Sequence, residues 1–198
     1  MATAAPVTRT GTVLADALFP ALSRARVGDA ALILGGAALT GVTAQIAVPV
    51  PGSPVPVSGQ TFAALLVGTT LGARRGFLSL ALYALVGLAG VPWFAEGRSG
   101  AGFASFGYVL GMMLAATVAG ALARRGCDRS TLRTAGTMAL GSAIIYAVGV
   151  PYLALYAHLS LTDAIAAGLT PFLIGDALKA ALAMGALPMA WKWLGRRG

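Results

Sequence analysis

The spacing of the charges limits this chain's fold more than any other feature. Six apolar runs, at about 29–48, 60–73, 76–95, 105–123, 134–158 and 171–194, are separated by short segments that carry nearly all the Lys and Arg. A helical crossing of a bilayer takes roughly 17–25 apolar residues. The spacing therefore predicts an all-α membrane protein of six transmembrane helices. With 58% of the residues hydrophobic and 10% charged, a soluble fold would leave a large apolar surface in water; soluble domains are about 25% charged. The second run, from Gln60 to Ala73, is the shortest. The corner from Gly72 to Gly76, with Arg74 and Arg75, divides it from the third, because residues 60–95 are too many for one crossing.

The basic residues also predict a direction. Arg9, Arg24 and Arg26 precede the first run, Arg74 and Arg75 follow the second, Arg124, Arg125, Arg129 and Arg133 follow the fourth, and Lys192, Arg196 and Arg197 close the chain. An even number of crossings puts all of these on one side and leaves Arg98 on the other. Lys and Arg accumulate on the cytoplasmic side of short loops, so both termini are expected there. The net charge of +8 is then topology; no basic stripe with interleaved aromatics suggests nucleic acid. Residues 1–28 are expected to form a cytoplasmic tail, and residues 29–198 the membrane domain. Leu14, Leu18 and Leu22 recur every four residues, which leaves open a short surface helix or a mobile tail.

Two charges fall inside the sixth run. Asp176 and Lys179 each carry a cost of about 2.5–3.5 kcal/mol near a bilayer centre. Their i,i+3 spacing puts them on one helix face, and counting from Pro171 at 1.5 Å per residue places them roughly 8 and 12 Å from its outer end. They are expected to face inward, as a site for a small polar ligand, as a packing pair or as a proton-coupling pair. His158 reads as an interfacial or internally satisfied histidine rather than a proton relay. The proline-rich segment between the first two runs (Pro49, Pro51, Pro54, Pro56) is expected to be extended without internal hydrogen bonds. With the glycine-rich segment from Val91 to Phe103, it reads as a lid over this face; Trp93 and Phe94 are its aromatic base or interfacial anchors.

Small residues recur every four positions at Gly107, Gly111, Ala115, Ala119 and Ala123, and again at Gly36, Thr40 and Ala44. Such columns allow close helix packing within the bundle, or docking of a partner membrane subunit, more plausibly through the first helix. No phosphate-binding loop, zinc-protease motif or serine-nucleophile elbow is present. With one Cys and one His, no Cys/His metal site is expected either. A transporter or binding subunit is expected rather than an enzyme, with no cofactor.

Several of these segments together resemble the BioY family, the biotin-specific S components of energy-coupling-factor (ECF) transporters. The resemblance is carried by Ala44-Gln45-Ile46 through Pro49, Pro54-Val55-Pro56-Val57, Gln60-Thr61-Phe62 and Leu71-Gly72-Ala73-Arg74-Arg75-Gly76. It continues in Tyr83 to Pro92, Phe94-Ala95-Glu96-Gly97, Gly107-Tyr108 and Gly175-Asp176-x-x-Lys179. It implies a six-helix S-component fold binding biotin near its outer face, beneath the loops between spans one and two and spans three and four. It further implies that Asp176 and Lys179 contribute to the site. Arg98, Gln45, Gln60, Tyr83 and Tyr108 are further candidate lining groups. An ECF transmembrane coupling subunit and ABC-type ATPases would be the partners, and the cell membrane the location. The alternatives are a secondary permease for biotin or another vitamin, and a non-transporting membrane assembly subunit. Where the family often has Pro-Thr-Gly-Gly-Tyr, this chain has Ala104-Ser105-Phe106-Gly107-Tyr108.

Overall fold

A computed structural model describes residues 11–196 and is predominantly helical. Arg9 and Arg197, two of the residues used for orientation, lie outside that range. Two short helices, α1 (Leu14–Leu18) and α2 (Pro20–Arg24), lead into α3 (Arg26–Ala44). An antiparallel hairpin of β1 (Ala47–Val48) and β2 (Val57–Ser58) follows, then α4 (Gln60–Leu71), α5 (Ala73–Leu88), α6 (Phe106–Arg124), α7 (Thr131–Tyr156), α8 (Leu161–Gly168) and α9 (Leu173–Gly195). Among the described residues, four stretches are long and apolar enough to cross a membrane: Arg26–Ala44, Phe106–Arg124, Thr131–Tyr156 and Leu161–Gly195. The helix Gln60–Leu71 is apolar but shorter.

The bundle is organised around α6, which packs on α7, α4 and α5, while α3 lies on α5 and α4, and α9 lies on α7. Its small residues explain this. Gly107 faces the Tyr152 side chain, Gly111 the backbone at Ile145, and Gly120 the backbone at Gly68 and the Gly72–Ala73 corner. Ala115, Ala119 and Ala123 are buried in the same column. The column on α3 is also internal: Gly36 lies against Ser79 and Val67, and Thr40 and Ala44 are fully buried. That corrects the docking alternative for Gly36, Thr40 and Ala44, whose face is already occupied by this chain's own helices.

Several boundaries differ from the sequence expectation. The first run ends at Ala44, because residues 47–48 pair with 57–58 across the proline-rich segment, Ala47 opposite Ser58 and Val48 opposite Val57. Ser53 also bonds to Val55 within it. The segment is therefore a hairpin with internal hydrogen bonds, since its prolines leave the strand positions free to pair. The third run ends at Leu88, because Gly90 takes a φ of +105° that only glycine adopts readily. The leucine repeat at 14, 18 and 22 is broken at Phe19-Pro20 into α1 and α2, and Val13, Leu14 and Ala15 are buried against the bundle. His158 is exposed and has a φ of 53° just past α7.

One end of the bundle collects the basic segments. The Arg75 guanidinium donates to Asp16 at 2.6 Å, to Asp29 at 2.8 Å and to the Ser23 carbonyl at 3.0 Å. Gly11 N–H donates to the Arg124 carbonyl at 2.8 Å, so α1 and α2 are strapped across this end. Asp128, between α6 and α7, is fully buried. Its Oδ2 accepts from Trp191 Nε1–H at 2.7 Å, its Oδ1 has no hydrogen-bond partner among the described residues, and the Arg129 guanidinium lies 4.4 Å from the Trp191 ring centre.

Burial pushes the Asp128 carboxyl above its ordinary value of 3.8, outweighing the Trp191 hydrogen bond and the nearby Arg129 charge. A carboxyl that holds its proton more tightly when folded favours the fold below its unfolded value, and that contribution is lost as pH rises through the folded value. Thermal unfolding in detergent from pH 4 upward should show this decline, and Asp128→Asn, which still accepts from Trp191, should flatten it. An unchanged slope in the variant would contradict the assignment.

Candidate ligand site

At the end of the bundle opposite Arg75 and Asp128, the start of α9 faces α4, α6 and α7. A 3₁₀ turn at Thr170–Phe172 brings the chain into α9, and Asp176 falls in the helix's first turn. Lys179 follows one turn later, with Nζ 3.3 Å from Asp176 Oδ1. Both side chains are about four-fifths buried, with 17% and 20% exposure. Lys179 also donates to Thr61 Oγ1 at 2.7 Å, at the start of α4. Tyr146, in the middle of α7, donates to Asp176 Oδ2 at 2.6 Å. The pair is thus held by three helices, and neither charge is left uncompensated in the apolar interior, where an unpaired charge is costly.

The cavity they face is narrow, about 30 Å³. Gln60, Thr61, Tyr146, Asp176 and Lys179 give it polar walls; Tyr108, Ile145 and Phe172 add aromatic and apolar ones. Val55, Pro56 and Ser58 of the hairpin segment close one side, and Ser105, just before α6, closes another. A larger groove of about 610 Å³ runs beside it between α7, α8 and α9. That groove is lined mainly by apolar residues, including Met138, Val150, Leu161, Ile165 and Leu173.

The residues singled out from the sequence are placed unequally. Asp176, Lys179, Gln60 and Tyr108 meet at the cavity. Tyr83 is fully buried behind it and donates to Gln60 Oε1 at 2.8 Å, which fixes the amide. Tyr108 donates to the Gly168 carbonyl at 2.7 Å, tying α6 to α8. Gln45 is a strap between loops, its Nε2 donating to the Gly41 carbonyl at 3.0 Å and the Trp93 carbonyl at 2.9 Å. Arg98 pairs with Glu96 at 3.0 Å, is half exposed, and lies over the Phe103 ring rather than in the cavity lining. Phe94 is fully buried and packs against Tyr83, Phe103 and Phe106. That aromatic cluster explains the bulk at Phe106, which also meets Tyr152 edge-on.

Thr61, Tyr146 and Ser142 also line the site, although sequence reasoning did not name them as ligand contacts. Only Tyr146 carried a signal, a phenol inside an apolar run, where a buried O–H needs a partner.

The fold is similar to that of a solved S component for biotin from an ECF-type ABC transporter, with a TM-score of 0.74 over 87% of this chain and 93% of that one, at 20% identity. In sequence, the chain is 37% identical over 149 residues to the biotin transporter BioY of Thermotoga maritima, covering 74% of this chain and 85% of the relative. It is 34% identical over 154 residues to the biotin transporter BioY2 of Lactococcus lactis subsp. cremoris, covering 76% and 83%. The model of the BioY family matches residues 16–196. The chain belongs to the BioY family.

Proposed function

We propose that this protein is the substrate-binding membrane subunit of a biotin transporter. The observation that carries it is the Asp176–Lys179 pair, 3.3 Å apart and facing a cavity beneath the β1–β2 hairpin. Its family membership and the names of its relatives supply the ligand. They also favour transport over catalysis. Biotin offers two ureido N–H donors, a ureido carbonyl and a carboxylate on an aliphatic tail. The Asp176 carboxylate keeps lone pairs for a ureido N–H, and the Lys179 ammonium has three protons to share with a ligand oxygen. Gln60, Ser58 and Ser105 add neutral polar contacts. Drug-sized ligands occupy clefts of about 300–1,000 Å³, so biotin enters with outward movement of the hairpin, which two paired positions close.

In the membrane the subunit crosses six times, through α3, α4, α5, α6, α7 and α9, with both termini cytoplasmic. The gathering of Arg75, Arg124 and Arg129 at one end of the bundle supports this direction, because such residues stay on the cytoplasmic side. The site then opens outward, beneath the hairpin and the segment between α5 and α6. The likeness to an ECF-type S component supports delivery of biotin through an ECF transmembrane coupling subunit and ABC-type ATPases.

Titration of biotin into the purified, monodisperse protein should give one-to-one binding, with lipoate as a control that does not bind. Absence of biotin binding would overturn the assignment. Biotin uptake by cells expressing the chain should be lost when the ATPases are inactivated. Unchanged uptake would overturn the ECF partnership alone.

A further inference from the structure

The narrow cavity at Asp176 and the apolar groove beside it are contiguous, sharing Ser142, Tyr146 and Asp176 in their linings. Of these three, Tyr146 has the side chain large enough to divide them. Its hydroxyl donates to Asp176 Oδ2 at 2.6 Å, and its ring meets Tyr108 nearly perpendicular, with centroids 6.4 Å apart. Tyr108 is itself anchored to the Gly168 carbonyl at 2.7 Å. The Tyr146 ring is therefore braced at its tip by α9 and along its side by α6. On one side lies a space of about 30 Å³ with polar walls, on the other about 610 Å³ with apolar ones.

We propose that Tyr146 is a positioning and specificity-determining residue, whose hydroxyl orients the Asp176 carboxylate and whose ring shuts the ligand cavity off from the groove. The role rests on the biotin reading above and extends it to the size of ligand accepted. A phenol donating to a carboxylate makes a short, charge-assisted hydrogen bond. It fixes Oδ2, while Lys179 holds Oδ1 at 3.3 Å; the remaining lone pairs are then aimed at the ligand. The groove suits an aliphatic chain and disfavours an ionised carboxylate. With the ring in place and the hairpin moved outward to admit it, biotin is confined to the polar side. With the ring removed, a neutral tail extension gains an apolar channel.

The test measures binding of biotin and of its N-hexylamide to the detergent-purified protein and to variants of unchanged monodispersity. Tyr146→Phe keeps the ring and loses the hydrogen bond. It should weaken biotin binding about tenfold, the effect of one hydrogen bond to a charged group, without altering the preference for biotin over the amide. In an Asp176→Asn background the same change should add little, because the hydroxyl acts through that carboxylate. Tyr146→Ala should raise affinity for the hexylamide relative to biotin by about tenfold or more, from burial of several methylenes. If the alanine variant does not fold, Tyr146→Leu, which lacks the ring's reach, should shift the ratio the same way. No biotin binding by the unaltered protein overturns the transporter reading and this role together. Normal binding there, with Tyr146→Phe unchanged, equally harmful in both backgrounds, or with the acid-to-amide ratio fixed in the smaller variants, overturns the role of Tyr146 alone.

Discussion

Asp176→Asn is expected to weaken biotin binding by about 10- to 100-fold, and Lys179→Met by a similar factor. A hydrogen bond to a charged group contributes about 1.5–3 kcal/mol, and each 1.4 kcal/mol is a factor of ten in affinity. Both charged groups line the cavity, so on the proposed reading each variant removes a charged group available to the ligand. The single changes should also lower stability, because each strands its partner. In Asp176→Asn, the Lys179 ammonium loses its counter-charge and, among the described residues, keeps only neutral acceptors, Thr61 and the new amide oxygen. Without Lys179, Asp176 keeps only the Tyr146 hydroxyl among the described residues. Removing one member of a buried pair costs about 3–5 kcal/mol, whereas replacing both is often near neutral; exposure of 17% and 20% places this pair toward the lower end. The double variant Asp176→Asn/Lys179→Met should therefore recover thermal stability relative to either single variant while remaining deficient in binding. Titration calorimetry and melting in the same detergent separate the two effects. Biotin affinity equal to that of the unaltered protein in both single variants would remove Asp176 and Lys179 from the site.

That pair was legible in the sequence because two charges in an apolar run have no neutral explanation, and an i,i+3 spacing on a helix needs no tertiary knowledge. Thr61 and Tyr146 were not, because their roles depend on how α4 and α7 are rotated against α9. A threonine or tyrosine in an apolar helix is unremarkable until its partner is known. Arg98, Gln45 and Tyr83 show the converse. Each is a polar group near the lid segments, yet Arg98 is taken by Glu96, Gln45 by carbonyls of its own helix and of the segment between α5 and α6, and Tyr83 by Gln60. Loop conformation decides such pairings, and loop conformation has no periodic signature. Helix boundaries failed for local reasons, at the paired strands after Ala44 and at Gly90, where one backbone conformation ends a run that composition alone would continue.

Helix packing was legible in kind but not in detail. The four-residue spacing on α6 marked a face for close approach, and the fold adds what approaches each glycine. A side chain at Gly120 would run into backbone atoms of Gly68, Gly72 and Ala73, at the corner where Gly72 takes a φ of +86°. Backbone cannot swing aside as a flexible side chain can, so even Gly120→Ala must separate α6 from the α4–α5 corner. Overpacking of a tight interface commonly costs about 1–3 kcal/mol and sometimes more. Here α6 contacts α4, α5 and α7 together, so the displacement spreads through the bundle. Gly120→Val should abolish recovery of monodisperse protein, and Gly120→Ala should lower the melting temperature substantially. Gly136 on α7 is the internal control, since a methyl there meets nothing within 4 Å among the described residues. Gly136→Ala relieves the helix-interior cost of glycine, about 0.5–1 kcal/mol, and should raise the melting temperature by roughly 2–4 °C per kcal/mol gained. Equal melting temperatures for Gly120→Ala and Gly136→Ala would contradict the packing of α6 against that corner. Opposite shifts would locate the close helix approach at the backbone of one position, independent of any general preference for small residues in membrane helices.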